Sequence, residues 1–132
     1  MDNFAVVCTS GSFRDGPDGG ATVTHFAHRW TDGGVDVAAA FTGAHLLHAA
    51  IAACVLNDLY REAEKVGIPL DGVRVEAQGG FRDDWSSLGV SYRVEMDSGA
   101  DASAIEQLIE TVDQVAEIPK ALRAGVRVTR TP

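Results

Sequence analysis

The chain has 132 residues, 45% of them hydrophobic and 23% charged, with a formal net charge of −8 at pH 7. That size and balance fit one soluble domain over residues 1–132 with a core of its own. The acidic balance and the scattered Lys and Arg exclude nonspecific binding to nucleic acid or to anionic membrane, and no apolar run reaches the ~18 residues of a membrane span.

The first 41 residues read as β-structure. Phe4 to Thr9 is a short β-prone run, Ala21 to His28 alternates loosely, and Gly34 to Phe41 carries Val35 and Val37 on one side. Gly- and Asp-rich turns separate them, Gly11 to Gly20 and Asp32 to Gly34. The N-terminus, Met1-Asp2-Asn3-Phe4, lacks the basic-then-apolar layout of a signal peptide.

The period then changes. Leu46, Leu47, Ala50, Ile51, Cys54, Val55 and Leu59 recur at three and four positions, which predicts a helix from about Gly43 to Val66. Gly67 and Pro69 stop it. Its first half is apolar nearly all round, which means burial on most sides.

Two strands follow. Val73, Val75 and Ala77 alternate with polar residues, as do Val90, Tyr92, Val94 and Met96, so each has one buried and one wet face. Gly79 to Leu88 reads as the loop between them. Phe81 and Trp85 in that loop either line an apolar pocket mouth or pack the loop. A second helix opens at Asp101 to Ser103, with Ser103 and Glu106 at capping-box spacing and a stripe of Ile105, Leu108, Ile109, Val112 and Val115. Pro119 is expected to break it, with a short helical piece to about Arg123. Val126 and Val128 suggest a last strand. The order β-β-β-α-β-β-α-β is that of an α+β domain with antiparallel sheet.

Two cysteines, Cys8 and Cys54, form no CxxC and no zinc framework, as expected for a cytoplasmic protein with reduced thiols. Cys54, in the buried half of the long helix, is either an inert small hydrophobe or a protected nucleophile. Among the histidines, His45 and His48 are three apart on the helix, and His25 and His28 point to opposite faces of a strand. No Glu or Cys completes a recognisable ligand set, so neither a metal nor a cofactor is expected.

The block Gly43-Ala44-His45-Leu46-Leu47-His48-Ala49-Ala50-Ile51-Ala52-Ala53-Cys54, with Arg61-Glu62-Ala63 and Gly67-Ile68-Pro69-Leu70-Asp71-Gly72-Val73 after it, resembles the OsmC/Ohr family of osmotically induced and organic-hydroperoxide-resistance proteins. The ending Ile118 to Val126 is similar to the family's C-terminal segment. The resemblance implies an intertwined homodimer, with long central helices against sheets and sites at the dimer interface. It also implies thiol peroxidase chemistry on organic hydroperoxides, with Cys54 as the attacking cysteine. Arg14, in Arg14-Asp15-Gly16, matches the family's Arg-Asp-Gly turn and so becomes the thiolate stabiliser.

Two departures stand out. Ala44 occupies the family's acid position, and Ala116-Glu117 stand where a resolving cysteine is expected. The usual disulfide step is thereby excluded, and a one-cysteine cycle with an external thiol reductant fits better. Cys8 is the accessory alternative, as a resolving thiol or a buried strand residue. His45, beside the missing acid, either takes over part of its orienting role or caps the helix.

Helical spacing adds its own constraint. At about 100° per residue, Leu47, Ala50, Ile51 and Asp58 share the face of Cys54, and Asp58 opposes a thiolate. The helix N-terminus is too distant to help. A cation must therefore come from another stretch of chain if Cys54 is to react. Without one, the fold implies a non-catalytic protein holding a small apolar ligand at the dimer interface.

Overall fold

The computed structural model of the chain describes residues 3–14 and 23–132. Among these, three short strands come first: β1 (Val6–Gly11), β2 (Val23–Phe26) and β3 (Val35–Ala38). The long helix α1 (Gly43–Val66) follows, then β4 (Gly72–Phe81), β5 (Ser87–Asp97), α2 (Ala102–Val115) and α3 (Glu117–Ala124). The strands make one antiparallel sheet in the order β2-β3-β1-β4-β5. The α+β reading and the bounds of α1 hold. The start of the Ala21 run, most of the Gly11 to Gly20 turn, and Asp15 and Gly16 lie outside the described residues.

Local chemistry fixes both ends of α1. Thr42 Oγ1 accepts from the His45 backbone N–H at 3.1 Å, satisfying one of the first-turn donors. At the other end Gly67 sits at φ 70°, and the Ile68 N–H reaches back to Ala63 O at 3.0 Å. That left-handed closure suits glycine because it has no Cβ to clash. Between the caps, Ala52, Val55, Leu56, Leu59 and Ala63 pack on Val6, Cys8, Val73, Val75 and Ala77 of the two central strands. A buried polar link ties the layers: Ser10 Oγ and Tyr60 OH are 2.7 Å apart, and Ser10 Oγ also takes the Val73 N–H at 3.2 Å.

Four local expectations need correction. β4 and β5 continue through most of the expected loop, leaving a tight hairpin in which the Arg82 N–H reaches Ser86 O at 2.8 Å. The pairing of Gly79 with Val90 and of Phe81 with Ser87 outweighs the weak strand propensity of Gly79 and Gly80. The N-cap of α2 is Asp101, whose Oδ1 accepts from the Ala104 N–H at 2.8 Å, so Ser103 falls inside the helix rather than capping it. Pro119 does not end a helix. The break comes at Ala116, and Pro119 stands in the first turn of α3, where a missing N–H removes no intrahelical bond. Val126 and Val128 form no strand and are exposed, and the sheet runs from β2 to β5 without them.

α1 lies chiefly under β1 and β4, so β5 overhangs it. The inward-facing Val90, Tyr92, Val94 and Met96 are only half-covered. The short helices α2 and α3 pack on α1 beside this overhang.

Candidate functional site

Spacings of four and three residues on α1 line up Cys54, Asp58 and Arg61 along one stripe. The start of α3 closes over them. Cys54 is 9% exposed, and its Sγ takes the Ile118 backbone N–H at 3.5 Å. Asp58 Oδ2 lies 3.9 Å from the sulfur, on the side to which the S–H donates. The sulfur, an oxygen of Asp58 and an oxygen of Glu117 all lie within 4.8 Å of one another. Arg61 completes the group, with Nη2 3.2 Å from Asp58 and Nη1 3.9 Å from Glu117.

Electrostatics follow from this arrangement. Burial pushes the Cys54 thiol up from 9.0 to about 11. The Ile118 N–H works against that rise, whereas the carboxylates of Asp58 and Glu117 add to it. The thiolate is the attacking form, so at neutral pH this sulfur is held as S–H. Asp58 is fully buried, and burial raises its carboxyl above the usual range despite hydrogen bonding from Asn57 and the charge of Arg61. Glu117 goes the other way, chiefly because a backbone N–H bonds its carboxylate. A thiol with two carboxylates is a donor set that zinc accepts. Here the Arg61 guanidinium already stands between both carboxylates and balances their charge.

The other sequence-predicted residues fall elsewhere. Arg14, in the turn after β1, pairs through Nε with Asp36 at 3.2 Å and stands beside His25. His25 Nδ1 is 2.6 Å from the same carboxyl, and its hydrogen bond is the main reason the Asp36 pKa is lowered. Arg14 and Cys54 thus belong to two distinct polar clusters of the chain. Cys8 is fully buried on β1 between Val37 and Val75, and burial pushes its thiol up to about 12. His45 bonds the cap Thr42 through Nδ1 at 2.6 Å, about 13 Å along the helix axis from Cys54.

Sequence reasoning found Asp58 but missed Arg61, Glu117 and Ile118. Arg61 was findable, since it continues the Cys54–Asp58 spacing by one more turn. Glu117 and Ile118 carry no such signal, because only the turn at Ala116 brings them to the sulfur. Ile118, the residue directly before Pro119, is the α3 position that meets Cys54, whereas Ala116 is the fully buried cap.

A groove of about 990 Å³ lies under the β5 overhang. Leu47 and Ile51 of α1, Val90 and Val94 of β5, Ile109 of α2 and Leu122 of α3 give it an apolar lining. At its rim Tyr92 OH donates to Asp113, which Arg123 Nη2 also holds at 2.9 Å. This is the size and character of small-molecule pockets.

Comparison with known proteins bears on the same region. The sequence model of one family, described as OsmC-like protein, matches residues 33–131. The fold is similar to the crystal structure of an OsmC-like protein from Mycoplasma pneumoniae, with TM-score 0.60 and 15% identity over 82% of this chain and 90% of that one. A second crystal structure, of an OsmC-like hydroperoxide resistance protein from Jannaschia sp. CCS1, is similar at TM-score 0.49 and 13% identity, over 97% of this chain and 92% of that one. No curated protein sequence matches the chain.

Proposed function

Because this chain belongs to the OsmC-like protein family, we propose that it acts as a homodimeric, cytoplasmic binding protein for a small apolar molecule, held in the groove under β5. The observation that carries this reading is the setting of Cys54. Its sulfur sits between the carboxyl groups of Asp58 and Glu117 with its pKa pushed to about 11, the opposite of what a standing nucleophile requires. The open apolar groove supplies the binding surface. Two free thiols and, among the described residues, no helix long and apolar enough to cross a membrane are compatible with the proposed location.

A second reading is favoured by the match of Cys54 to the attacking cysteine of the OsmC/Ohr pattern. In it the protein is a one-cysteine peroxidase in the response to oxidative stress. The Cys54 thiolate attacks the terminal oxygen of an organic hydroperoxide, the O–O bond breaks, the alkoxide takes a proton from solvent and leaves as the alcohol, and Cys54 becomes a sulfenic acid. An external thiol then forms a mixed disulfide and releases water, and a second thiol frees the cysteine. This reading needs a cation that outweighs Asp58 and Glu117, and Arg14 of a second copy is the proposed source.

One experiment separates the two. The protein is treated at neutral pH with cumene hydroperoxide and a sulfenic-acid trap, and its intact mass is measured. Binding without redox chemistry predicts no adduct on Cys54 in the native protein. It also predicts a gain in labelling for Asp58→Asn, which removes a carboxylate and releases Arg61. Full labelling of native Cys54, lost in Arg14→Ala and in Cys54→Ser but kept in Cys8→Ser, establishes the peroxidase instead.

A further inference from the structure

The groove under β5 has one wall unlike the rest. Glu106, Ile109, Glu110 and Asp113 of α2 all line it, because spacings of three and four residues put them on one side of the helix. Three of these four are acidic. Asp113 is already satisfied: Tyr92 OH donates to it, Arg123 Nη2 holds its carboxylate at 2.9 Å, and Arg123 Nη1 donates to its backbone carbonyl at 2.8 Å. Arg93, the other cation on the lining, is engaged elsewhere, with Nη2 at 3.4 Å from both Glu76 and Glu95. Glu76 stands opposite Arg93 in the β4–β5 ladder, on the face of the sheet away from the inward-facing Tyr92 and Val94.

Glu106 and Glu110 are left over. Among the described residues neither carboxylate has an ion-pair or hydrogen-bond partner. Both residues are exposed, and like charges four apart on a helix repel each other. The wall therefore carries two uncompensated negative charges beside an apolar floor, and the formal −8 of the chain adds to the same field. Tyr92 reinforces the preference. Its proton is given to Asp113, so toward the groove its oxygen offers only lone pairs.

We propose that the groove's occupant is a cationic amphiphile, a protonated primary alkylamine whose chain lies on Leu47, Ile51, Val90 and Val94 and whose ammonium sits between Glu106 and Glu110. One ammonium has three donors, enough to reach carboxylates on successive turns, and its charge removes their repulsion. A carboxylate head would bring a third negative charge to the wall. An alcohol would bury the same chain but bond without charge, and hydrogen bonds between charged partners are the stronger ones. The inference rests on the groove reading above and adds a head-group requirement to it.

The test is calorimetric titration of the full chain at neutral pH with n-octylamine, n-octanol and octanoate, at low and at high salt. At low salt the amine is expected to bind about tenfold more tightly than the alcohol, the size of one charge-assisted hydrogen bond. Octanoate should bind most weakly. Added salt should weaken the amine and not the alcohol. Glu110→Gln should cost the amine about threefold, and Glu106→Gln combined with it should bring the amine to the alcohol's affinity. Glu64→Gln, which removes the same charge about 20 Å along α1 from Ile51, should leave the ranking as it is. Equal affinities for amine and alcohol, tightest binding of octanoate, a preference that survives in the double variant, or an equal loss in Glu64→Gln would each overturn the head-group assignment and leave the groove reading standing. Failure of all three compounds to bind, as a second copy seated in the groove would produce, overturns the two together. The ranking in the unmodified protein decides the point even where a variant does not fold.

Discussion

Cys54 and Cys8 are two thiols whose different surroundings both favour the protonated form. Cys8 has only burial acting on it, and Cys54 has burial plus two carboxylates. Both titrate higher in the folded chain than the ordinary 9.0, so the folded state favours the protonated form. That contribution is fully present below pH 9. It is lost as pH rises toward about 11 for Cys54 and about 12 for Cys8, because the unfolded chain has by then released protons that the native state retains. Urea unfolding at a series of pH values should show stability falling above pH 9, by about 1.4 kcal/mol per pH unit for each thiol. Cys8→Ala should flatten that limb while costing little at pH 7. An unchanged slope in the variant removes Cys8 from the account. At this scale the sequence was partly legible. Asp58 could be placed beside Cys54 by helical spacing alone, but Glu117 and Ile118 reach the sulfur only through a turn that no local signal announces.

Capping shows how the same limits work for whole elements. The bounds of α1 could be read directly, because a change of period at its start and Gly67 and Pro69 after its end agree. The start of α2 was ambiguous, since Asp101 and Ser103 are both good caps with helix formers behind them. The structure selects Asp101, which gives a direct test. Asp101→Ala should destabilise the protein by about 1 kcal/mol in urea, and Ser103→Ala should change it by less than half that. The reverse order would restore the capping box. The missing last strand has a different cause. Alternation of Val126 and Val128 marks a surface able to pair, but alternation alone does not say whether the chain brings it to an edge. The β4–β5 hairpin was underestimated for a related reason: its glycines look like loop, yet cross-strand neighbours hold them in line.

The overhang of β5 matters most for the molecule as a whole. Phe26, Phe41, Leu46 and Leu88 are exposed, and so is the groove mouth. A monomer rarely leaves that much apolar surface to water. Sedimentation equilibrium should give twice the monomer mass, consistent with the homodimer proposed above. Because each copy carries a formal charge of −8, added salt should tighten the pair by screening their repulsion. A monomer at every salt concentration would confine the binding site to one chain.

The sheet order has a consequence for how the chain reaches this state. β1 lies at the middle of the sheet, and its two neighbours are β3 and β4, which flank α1 in sequence. A growing polypeptide on the ribosome therefore makes its central strand first and cannot enclose it until β4 has emerged. Until then α1 has only half a platform, and its greasy face waits in the open. Folding should begin late and depend on long-range closure, the circumstance in which a chaperone's hold on the nascent helix is most useful.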